Sequence, residues 1–146
     1  MAFVHLHNHT EYSLLDGATK VYDMVKRAAD LGMPAVAITD HGVMSGVPEL
    51  ADACDKVKAE TGTWVKPIFG CEIYFTTDSS LKKEGKQKLH HMILLAKNNT
   101  GYHNIVKLVS ESHVDNFYYR PRTTFEMLEK YSEGVIATSA CIAGII

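Results

Sequence analysis

Short runs of β-type residues alternate with helical patterns along the 146-residue chain, and this alternation most restricts the fold that the chain can adopt. The predicted strands cover residues 3–9, 35–39, 65–75, 92–96 and 134–138. Apolar residues spaced three and four apart predict amphipathic helices over 21–31, 47–57, 102–109 and 123–128. Strands that alternate with helices in this way favour an α/β fold built on a parallel sheet or barrel.

Residues typical of helix ends sharpen these boundaries. Thr19 is placed to cap the start of the first helix, and Gly32 and Gly62 are placed to stop the first and second helices. Thr123 and Glu126 have the spacing of a capping box at the start of the fourth helix. The polar segment 76–88 has neither pattern, and we predict a loop there.

Composition excludes several classes of protein. The chain is 46% hydrophobic and 22% charged, which is typical of a globular domain and excludes a disordered or fibrous chain. No apolar run is long enough to span a membrane, and the first residues lack a secretory signal, so we expect a cytoplasmic protein without a membrane partner. Three widely spaced cysteines argue against a disulfide framework, and a net charge of −2 argues against nucleic-acid binding through bulk charge alone.

The strongest local signal is a cluster of histidines in the first predicted strand. His5, His7 and His9 are two residues apart, so an extended strand directs all three to one face, and Asp16 follows on the next loop. Two imidazoles placed in this way can chelate one metal ion. An H-x-H pattern is weak evidence alone, and His5, which lies deepest in the strand, is the member most easily explained as structural.

Two further predicted strands end in, or contain, ionisable residues. The segment ITDHG places Asp40 and His41 at the end of a buried strand, where sites form in parallel α/β folds, although a simple turn closed by Gly42 is the alternative. The segment GCEIY places Glu72 inside an apolar strand. A buried carboxylate is costly unless it is paired or bound to a cation.

The last two strands continue the pattern. His90 and His91 point to opposite faces of their strand, so at most one of them can face a common centre, and Cys141 follows the final strand. A lone cysteine is more often a small buried hydrophobe than a ligand. One shared metal centre nevertheless explains all five strands together. Its nitrogen and oxygen ligands suit Zn²⁺, Mn²⁺ or Fe²⁺ rather than Ca²⁺, and ions bridged by a carboxylate suit hydrolytic phosphoryl chemistry.

These motifs, in this order, resemble the PHP (polymerase and histidinol phosphatase) family. The matching segments span nearly the whole chain, and NFYYRPR, at 116–122, is typical of the branch found at the N-terminus of bacterial replicative polymerase alpha subunits. The resemblance implies a distorted (β/α)7 barrel that holds up to three divalent metal ions at its strand ends. It also implies phosphoesterase activity, with 3′→5′ proofreading exonuclease activity in some relatives.

The resemblance carries over to individual residues. The positions that match metal ligands of the family are His7, His9, Asp16, His41, Glu72, His91 and Cys141. Asp40 has no ligand role, and we expect it to support the ligands instead.

One departure from the family pattern concerns the end of the sequence. The family pattern closes with an Asp-x-His pair on a later strand, and this chain stops before such a pair. We therefore expect residues 1–146 to be the N-terminal part of a PHP domain, with about five of the seven strands. We expect this part to bind fewer metal ions than a complete domain. We expect the full-length parent to be active and this part alone to be inactive.

Three alternative functions stay open. The domain could be a non-catalytic module that metal ions stabilise within the polymerase, a free-standing phosphatase for small monoesters, or, less favoured, an amidohydrolase-type barrel. The expected partners are the rest of the polymerase alpha chain, DNA and a proofreading exonuclease subunit. The candidate DNA contacts are the basic residues Lys82, Lys83, Lys86, Lys88, Arg120 and Arg122, for which a solvated surface is an equally good explanation.

Overall fold

The computed structural model describes residues 3–77 and 88–145. Within these ranges the strands are β1 (Ala35–Ile38), β2 (Lys66–Phe75), β3 (His90–Ala96), β4 (Phe117–Tyr118), β5 (Arg120–Thr123) and β6 (Val135–Thr138). The helices are α1 (Val21–Asp30), α2 (Val47–Thr61), α3 (Asn99–Val114) and α4 (Phe125–Lys130). The predicted α/β class is confirmed, and none of the described helices has the length and apolar character needed to cross a membrane.

The long strand β2 organises the sheet. β1 runs parallel to its first half, from the pair Ala35–Lys66 to the pair Ile38–Phe69, and β5 runs parallel to its end. The other edge of β2 pairs with β3, which in turn pairs with β6, and both of these pairings are antiparallel. The expectation of a parallel sheet was therefore wrong for β3. The sequence between β2 and β3 has no helical pattern, and a parallel crossover usually needs a helix.

The direction of β3 matters for the site. Because β3 is reversed, its first residues lie beside the last residues of β2, with His91 opposite Tyr74. β6 is antiparallel to β3, so its last residue, Thr138, lies at the same edge, opposite Ile93. One edge of the sheet thus gathers the ends of β1, β2 and β6 and the start of β3.

The predicted first strand, 3–9, is not a regular strand, and this expectation was wrong. The segment lies beside β1 and accepts only two backbone hydrogen bonds from it, Ala37 N–H to His5 O and Thr39 N–H to Asn8 O, each 3.0 Å. The two acceptors, His5 and Asn8, are three residues apart, whereas the two donors, Ala37 and Thr39, are two residues apart. The extra residue interrupts the ladder as a bulge does. The Asn8 side chain replaces part of the ladder, because Nδ2 donates to His5 O (3.2 Å) and Ala37 O (3.0 Å).

Two apolar layers hold the sheet in place. α1 and α2 pack against β1, and their buried members include Val25, Leu50 and Ile38. α3 and α4 pack against β2 and β3, where Ile105 and Leu94 are almost completely buried. Burial of such side chains contributes roughly 1.5–3 kcal/mol each. The helices therefore cover the sheet and leave its ligand-bearing edge open.

The helix ends agree with the sequence in part. Gly32 and Gly62 follow α1 and α2 with φ of +66° and +75°, so both predicted stops are confirmed. The predicted cap of α1 was wrong, because Lys20 and not Thr19 precedes the helix, and it makes no side-chain capping bond. Hydrophobic packing of the helix face is sufficient there without a cap.

The start of α4 was also misplaced, by one residue. Thr124, not Thr123, caps the helix, and its side chain accepts a hydrogen bond from Met127 N–H. Thr123 instead ends β5, opposite Phe75 of β2. The short β4–β5 hairpin was not predicted. Its turn is the single residue Tyr119, which has a φ of +58°.

Candidate metal centre

Two histidines of the N-terminal segment converge on one carboxylate oxygen. The Nε2 atoms of His7 and His9 are 3.2 Å apart, and each lies 2.6 Å from Glu72 Oε2. The side-chain bonds of Asn8 to His5 O and to Ala37 O of β1 fix the residue between the two histidines, so both rings leave the segment toward the same point. His5, by contrast, is exposed and packs against Phe3, so it lies outside the cluster.

Glu72 is the centre of the cluster and is fully buried. Its backbone is fixed in β2, because Glu72 N–H donates to Asp40 O and Glu72 O accepts from Gly42 N–H. Burial alone would raise the pKa of the carboxyl group. The hydrogen bonds from His9 and His7 and the charges of His41 and His7 together outweigh burial, so the pKa of Glu72 lies below its usual value and the carboxylate is charged at neutral pH.

Asp16 joins His9 to His41. Its Oδ2 atom lies 3.1 Å from His9 Nδ1 and 3.0 Å from His41 Nε2. Burial would raise the pKa of Asp16, but the hydrogen bonds and charges of the two histidines lower it overall. The side chain is about half exposed, so it lies at the solvent side of the centre.

Asp40 supports the ligands without joining them. Its Oδ1 accepts from Thr10 N–H (2.6 Å) and the Ser13 hydroxyl (2.7 Å), and its Oδ2 accepts from the Thr10 hydroxyl (2.8 Å). The Ser13 oxygen also accepts from His41 N–H at 3.1 Å. Asp40 therefore ties the loop that leads to Asp16 to the end of β1.

Of the two histidines that start β3, only one faces the centre. His91 Nδ1 contacts Glu72 Oε1, whereas His90 Nδ1 donates to Gly144 O at 3.1 Å. Burial lowers the pKa of His91 more than the nearby Glu72 carboxylate raises it, which favours the neutral imidazole that metal binding requires.

Cys141 lies at the margin of the cluster. Its Sγ atom is 3.7 Å from His91 Nδ1, and the side chain is exposed. The groups whose ligand atoms lie close enough to share one ion do not include it. Cys71 is adjacent to Glu72 in sequence but packs into the apolar core, and burial raises its thiol pKa, so it stays a protonated thiol.

Three overlapping trios could each hold a metal ion among the described residues. They are His7–His9–Glu72, His9–Asp16–His41 and His41–Glu72–His91. Two buried polar atoms in these trios, His41 Nδ1 and Glu72 Oε1, have no hydrogen-bond partner, although His91 lies close to the latter. Buried polar atoms normally have partners, so these two atoms fit the coordination of a cation. The donor set of imidazoles and carboxylates can hold divalent metal ions.

Sequence reasoning missed one ring that shapes this centre. Tyr74 stacks on His41, with ring centroids 5.8 Å apart, and meets His91 edge-on at 5.4 Å. It follows Glu72 by two residues, so the period of a strand already places it on the same face.

The candidate DNA contacts fall into three groups. Lys88 and Arg120 are exposed, whereas Arg122 is buried and its Nε donates to Asn116 O at 3.0 Å, so Arg122 has a structural role. The other three candidates lie outside the described residues; they are Lys82, Lys83 and Lys86.

Curated relatives of the chain are DNA polymerase III alpha subunits. The chain is 47% identical to that of Borreliella burgdorferi and 44% identical to that of Aquifex aeolicus, and these matches cover 99% and 98% of the chain. The Helicobacter pylori subunit is 44% identical over 98% of the chain. The chain spans only about 12% of the length of these relatives.

Solved structures share the fold at lower identity. A protein described as a metal-dependent phosphoesterase, from Bifidobacterium adolescentis, is 23% identical with a TM-score of 0.50, and the match covers 77% of this chain and 34% of that protein. An amidohydrolase from Chromobacterium violaceum is 20% identical with a TM-score of 0.52, over 75% of this chain and 33% of that protein. A family model described as the PHP domain matches residues 5–146. The chain therefore belongs to the PHP domain family.

Proposed function

We propose that the chain is the metal-binding part of a phosphoester-hydrolysing PHP domain, which in the full-length protein removes nucleotides from the 3′ end of DNA. The observation that carries the proposal is the position of Glu72. Its Oε2 faces His7 and His9, and its Oε1 faces His91 and, at 3.9 Å, His41. A buried carboxylate whose two oxygens face separate pairs of imidazoles is suited to bridge two cations.

Each proposed ligand has a distinct task. The four imidazoles of His7, His9, His41 and His91 would hold the ions through their ring nitrogens, and Glu72 would supply one carboxylate oxygen to each pair of histidines. Asp16 completes the trio nearest to solvent, where a phosphate would enter. Cys141 would join through a small movement of its loop toward His91. Bound Zn²⁺, Mn²⁺ or Fe²⁺ would neutralise phosphate charge and activate water.

The wider setting is also part of the proposal. The similarity to polymerase alpha subunits supports residues 1–146 as the N-terminal part of a PHP domain within a longer bacterial polymerase chain. The rest of that chain, DNA and a proofreading exonuclease subunit are the proposed partners, in the cytoplasm. The same similarity favours this setting over a free-standing phosphatase.

The test uses the full-length protein. Elemental analysis should find bound Zn, Mn or Fe, and the protein should shorten a 5′-labelled single-stranded oligonucleotide from its 3′ end. His9→Ala should lose metal and reduce cleavage by more than the roughly 10–100-fold that loss of a supporting residue costs. His5→Ala is the matched control, because it removes an exposed histidine of the same segment.

The outcomes separate the alternatives. Cleavage that persists in His9→Ala would place the activity elsewhere in the protein. Bound metal without any cleavage would favour a module that metal ions stabilise without catalysis. A protein that contains no metal and gains no activity from added Mn²⁺ would contradict both functions.

A further inference from the structure

A cleft of about 520 Å³ opens directly beside the metal centre. Asp16, His41 and His91 form the side of the cleft that it shares with the centre. The rest of the lining is largely apolar, and several of its side chains are strongly exposed. They are Leu14 (90% exposed), Leu15 (83%), Phe117 (50%) and Tyr119 (81%). Exposed apolar groups concentrated around one cleft are typical of a binding site.

Tyr119 projects from the tip of the β4–β5 hairpin into the lining of this cleft. Its backbone has a φ of +58°, which a bulky side chain rarely adopts and which glycine or asparagine adopts more easily. Its neighbours Tyr118 and Arg120 pair with each other across the turn, so the hairpin fixes Tyr119 in this conformation. An aromatic ring thus stands exposed at a position where the backbone alone favours a different residue.

Arg120 provides the positive charge of the cleft. It is the single Arg or Lys among the described residues that line it, and no carboxylate of the described ranges forms an ion pair with it. Its guanidinium lies over the Tyr74 ring, 5.3 Å from the centroid, and the same ring stacks on His41. The Tyr74 ring therefore separates Arg120 from the proposed ligand His41. A guanidinium binds phosphate through a planar pair of donors.

The combination identifies the class of ligand. An exposed aromatic ring binds a nucleobase by stacking, and a nearby arginine that has no carboxylate partner among the described residues binds a phosphate that is not at the metal ions. A small phosphate monoester would use neither group. On the basis of the proposed function, we propose that Tyr119 and Arg120 bind the nucleoside and the phosphate of a single-stranded DNA end, and so give the metal centre its preference for nucleic acid.

Two chromogenic diesters with the same leaving group test this preference in the full-length protein. Thymidine 5′-p-nitrophenyl phosphate carries a nucleoside, and methyl p-nitrophenyl phosphate carries a methyl group in its place. We expect wild type to prefer the nucleotide ester in kcat/KM. Tyr119→Asn, which tolerates the positive φ but lacks the ring, should reduce that preference by about 10-fold through a higher KM, and Tyr119→Phe should retain it.

The arginine is tested with a substrate that has a second phosphate. The substrate is a single-stranded trinucleotide, which has two phosphodiester groups. Arg120→Gln should raise the KM for this trinucleotide by about 10-fold. Phe125→Asn and Arg27→Gln are the matched controls, since both residues are exposed and lie outside the lining of the cleft. An unchanged substrate preference in Tyr119→Asn, together with an unchanged KM in Arg120→Gln, would overturn the inference while leaving the proposed function intact.

A cross-link gives an answer that does not depend on turnover. An oligonucleotide with 5-iodouracil at its 3′ end should, on irradiation, attach to the peptide that contains Tyr119, and the attachment should persist in Tyr119→Phe and disappear in Tyr119→Asn. Absence of this cross-link in wild type would overturn the inference. If neither diester is hydrolysed, the proposed function fails, and a cross-link at Tyr119 would still support the cleft as a DNA-end site.

Discussion

One buried side chain, Asp40, anchors the loop before Asp16. It is 1% exposed and accepts three hydrogen bonds, from Thr10 N–H, the Thr10 hydroxyl and the Ser13 hydroxyl. Hydrogen bonds to a buried charge are stronger than neutral ones, and each contributes about 1.5–3 kcal/mol. These bonds anchor the loop at Thr10 and Ser13, and the position of Asp16 depends on them.

Asp40→Asn should lower the free energy of unfolding by about 2–4 kcal/mol, because the amide removes the charge and offers one acceptor oxygen in place of two. Urea denaturation measures this change. Asp30→Asn is the control, since it removes an exposed carboxylate paired with Lys26 and should cost less than about 0.5 kcal/mol. Equal effects of the two substitutions would contradict the supporting role of Asp40.

Glu72→Gln should separate metal binding from folding. The amide keeps the shape of the side chain but cannot bridge two cations, so elemental analysis should find less metal than in wild type. The metal-free variant should still fold, because the side-chain contacts of Glu72 are mainly with the other proposed ligands, His7, His9 and His91. Glu126→Gln, an exposed position on α4, is the matched control. Full metal content in Glu72→Gln would contradict the bridging role.

Sequence could identify some of these residues because their chemistry conflicts with their surroundings. Glu72 stands out as a charge inside an apolar strand, and the structure places it fully buried among histidines. The three bonds of Asp40 could not be predicted, because Thr10 and Ser13 approach it only after the loop folds back. Whether each candidate binds a metal ion stays a prediction.

At the scale of elements, the N-terminal segment shows how a side chain can replace a strand ladder. Asn8 Nδ2 donates to the backbone on both sides of the interruption, to His5 O and Ala37 O. Its own N–H donates to the Thr39 hydroxyl at 2.9 Å. A regular strand would direct alternate residues to fixed faces, so here the asparagine sets the directions of the neighbouring histidines.

Asn8→Ala should therefore weaken metal binding as well as stability. Two side-chain hydrogen bonds are lost, and one partner is a backbone carbonyl of β1, so unfolding should become easier by about 1–3 kcal/mol. Metal affinity should fall by roughly 10–100-fold, since His7 and His9 lose their support. Isothermal titration with Zn²⁺ and urea denaturation measure the two effects. Asn99→Ala, an exposed residue at the start of α3, should change neither.

Glycine is required at two helix positions, Gly101 and Gly62, for different physical reasons. A Cβ on Gly101 in α3 would lie 1.8 Å from Gly134 O, whereas one on Gly62, which has a φ of +75°, would meet nothing within 4 Å. Gly101 is required by the close approach of the helix to the turn before β6. Gly62 is required only by backbone conformation.

Gly101→Ala should lower the free energy of unfolding by about 3 kcal/mol or more, because the backbone of the turn must move. The same change inside an unobstructed helix would stabilise it by about 1 kcal/mol. The sign of the measured change in the free energy of unfolding therefore distinguishes the two cases. Gly62→Ala should cost only about 1 kcal/mol. Thermal and urea unfolding of the two variants give the comparison, and a neutral Gly101→Ala would show that the helix and turn do not pack so closely.

The elements differ in how well sequence predicts them. α1 and α2 were predicted nearly to their ends, because apolar period and terminal glycines agree. The direction of β3 was missed because strand direction depends on pairing and not on the residues of the strand itself. The β4–β5 hairpin was missed because NFYYRPR lacks an Asn-Gly or similar turn signal, and its turn consists of a tyrosine with positive φ.

At the scale of the whole molecule, the proposed centre joins parts of the chain that are far apart in sequence. Members of the trios come from the N-terminal segment, the residues just after β1, the second half of β2 and the start of β3. The N-terminal segment accepts two backbone hydrogen bonds from β1 and the residue after it. Bound ions would therefore contribute substantially to holding this segment against the sheet.

Removal of metal should therefore lower the melting temperature. A ligand present at 100 times its Kd stabilises a fold by about 2.7 kcal/mol, which corresponds to roughly 10 °C for a chain of this size. Calorimetry with excess Zn²⁺ and with EDTA measures the difference, and Glu72→Gln should show little of it. Equal melting temperatures of the wild type in both conditions would mean that metal ions do not stabilise this fold.

The order of the trios along the sequence has a consequence for synthesis on the ribosome. The trio His9–Asp16–His41 is complete once β1 and the residues after it have emerged from the ribosome, before any of β2 has emerged. The other two trios wait for Glu72, and the last of them waits also for His91. A nascent chain can therefore acquire its first ion early, and that ion would hold the N-terminal segment beside β1 while the remainder of the sheet is still being made.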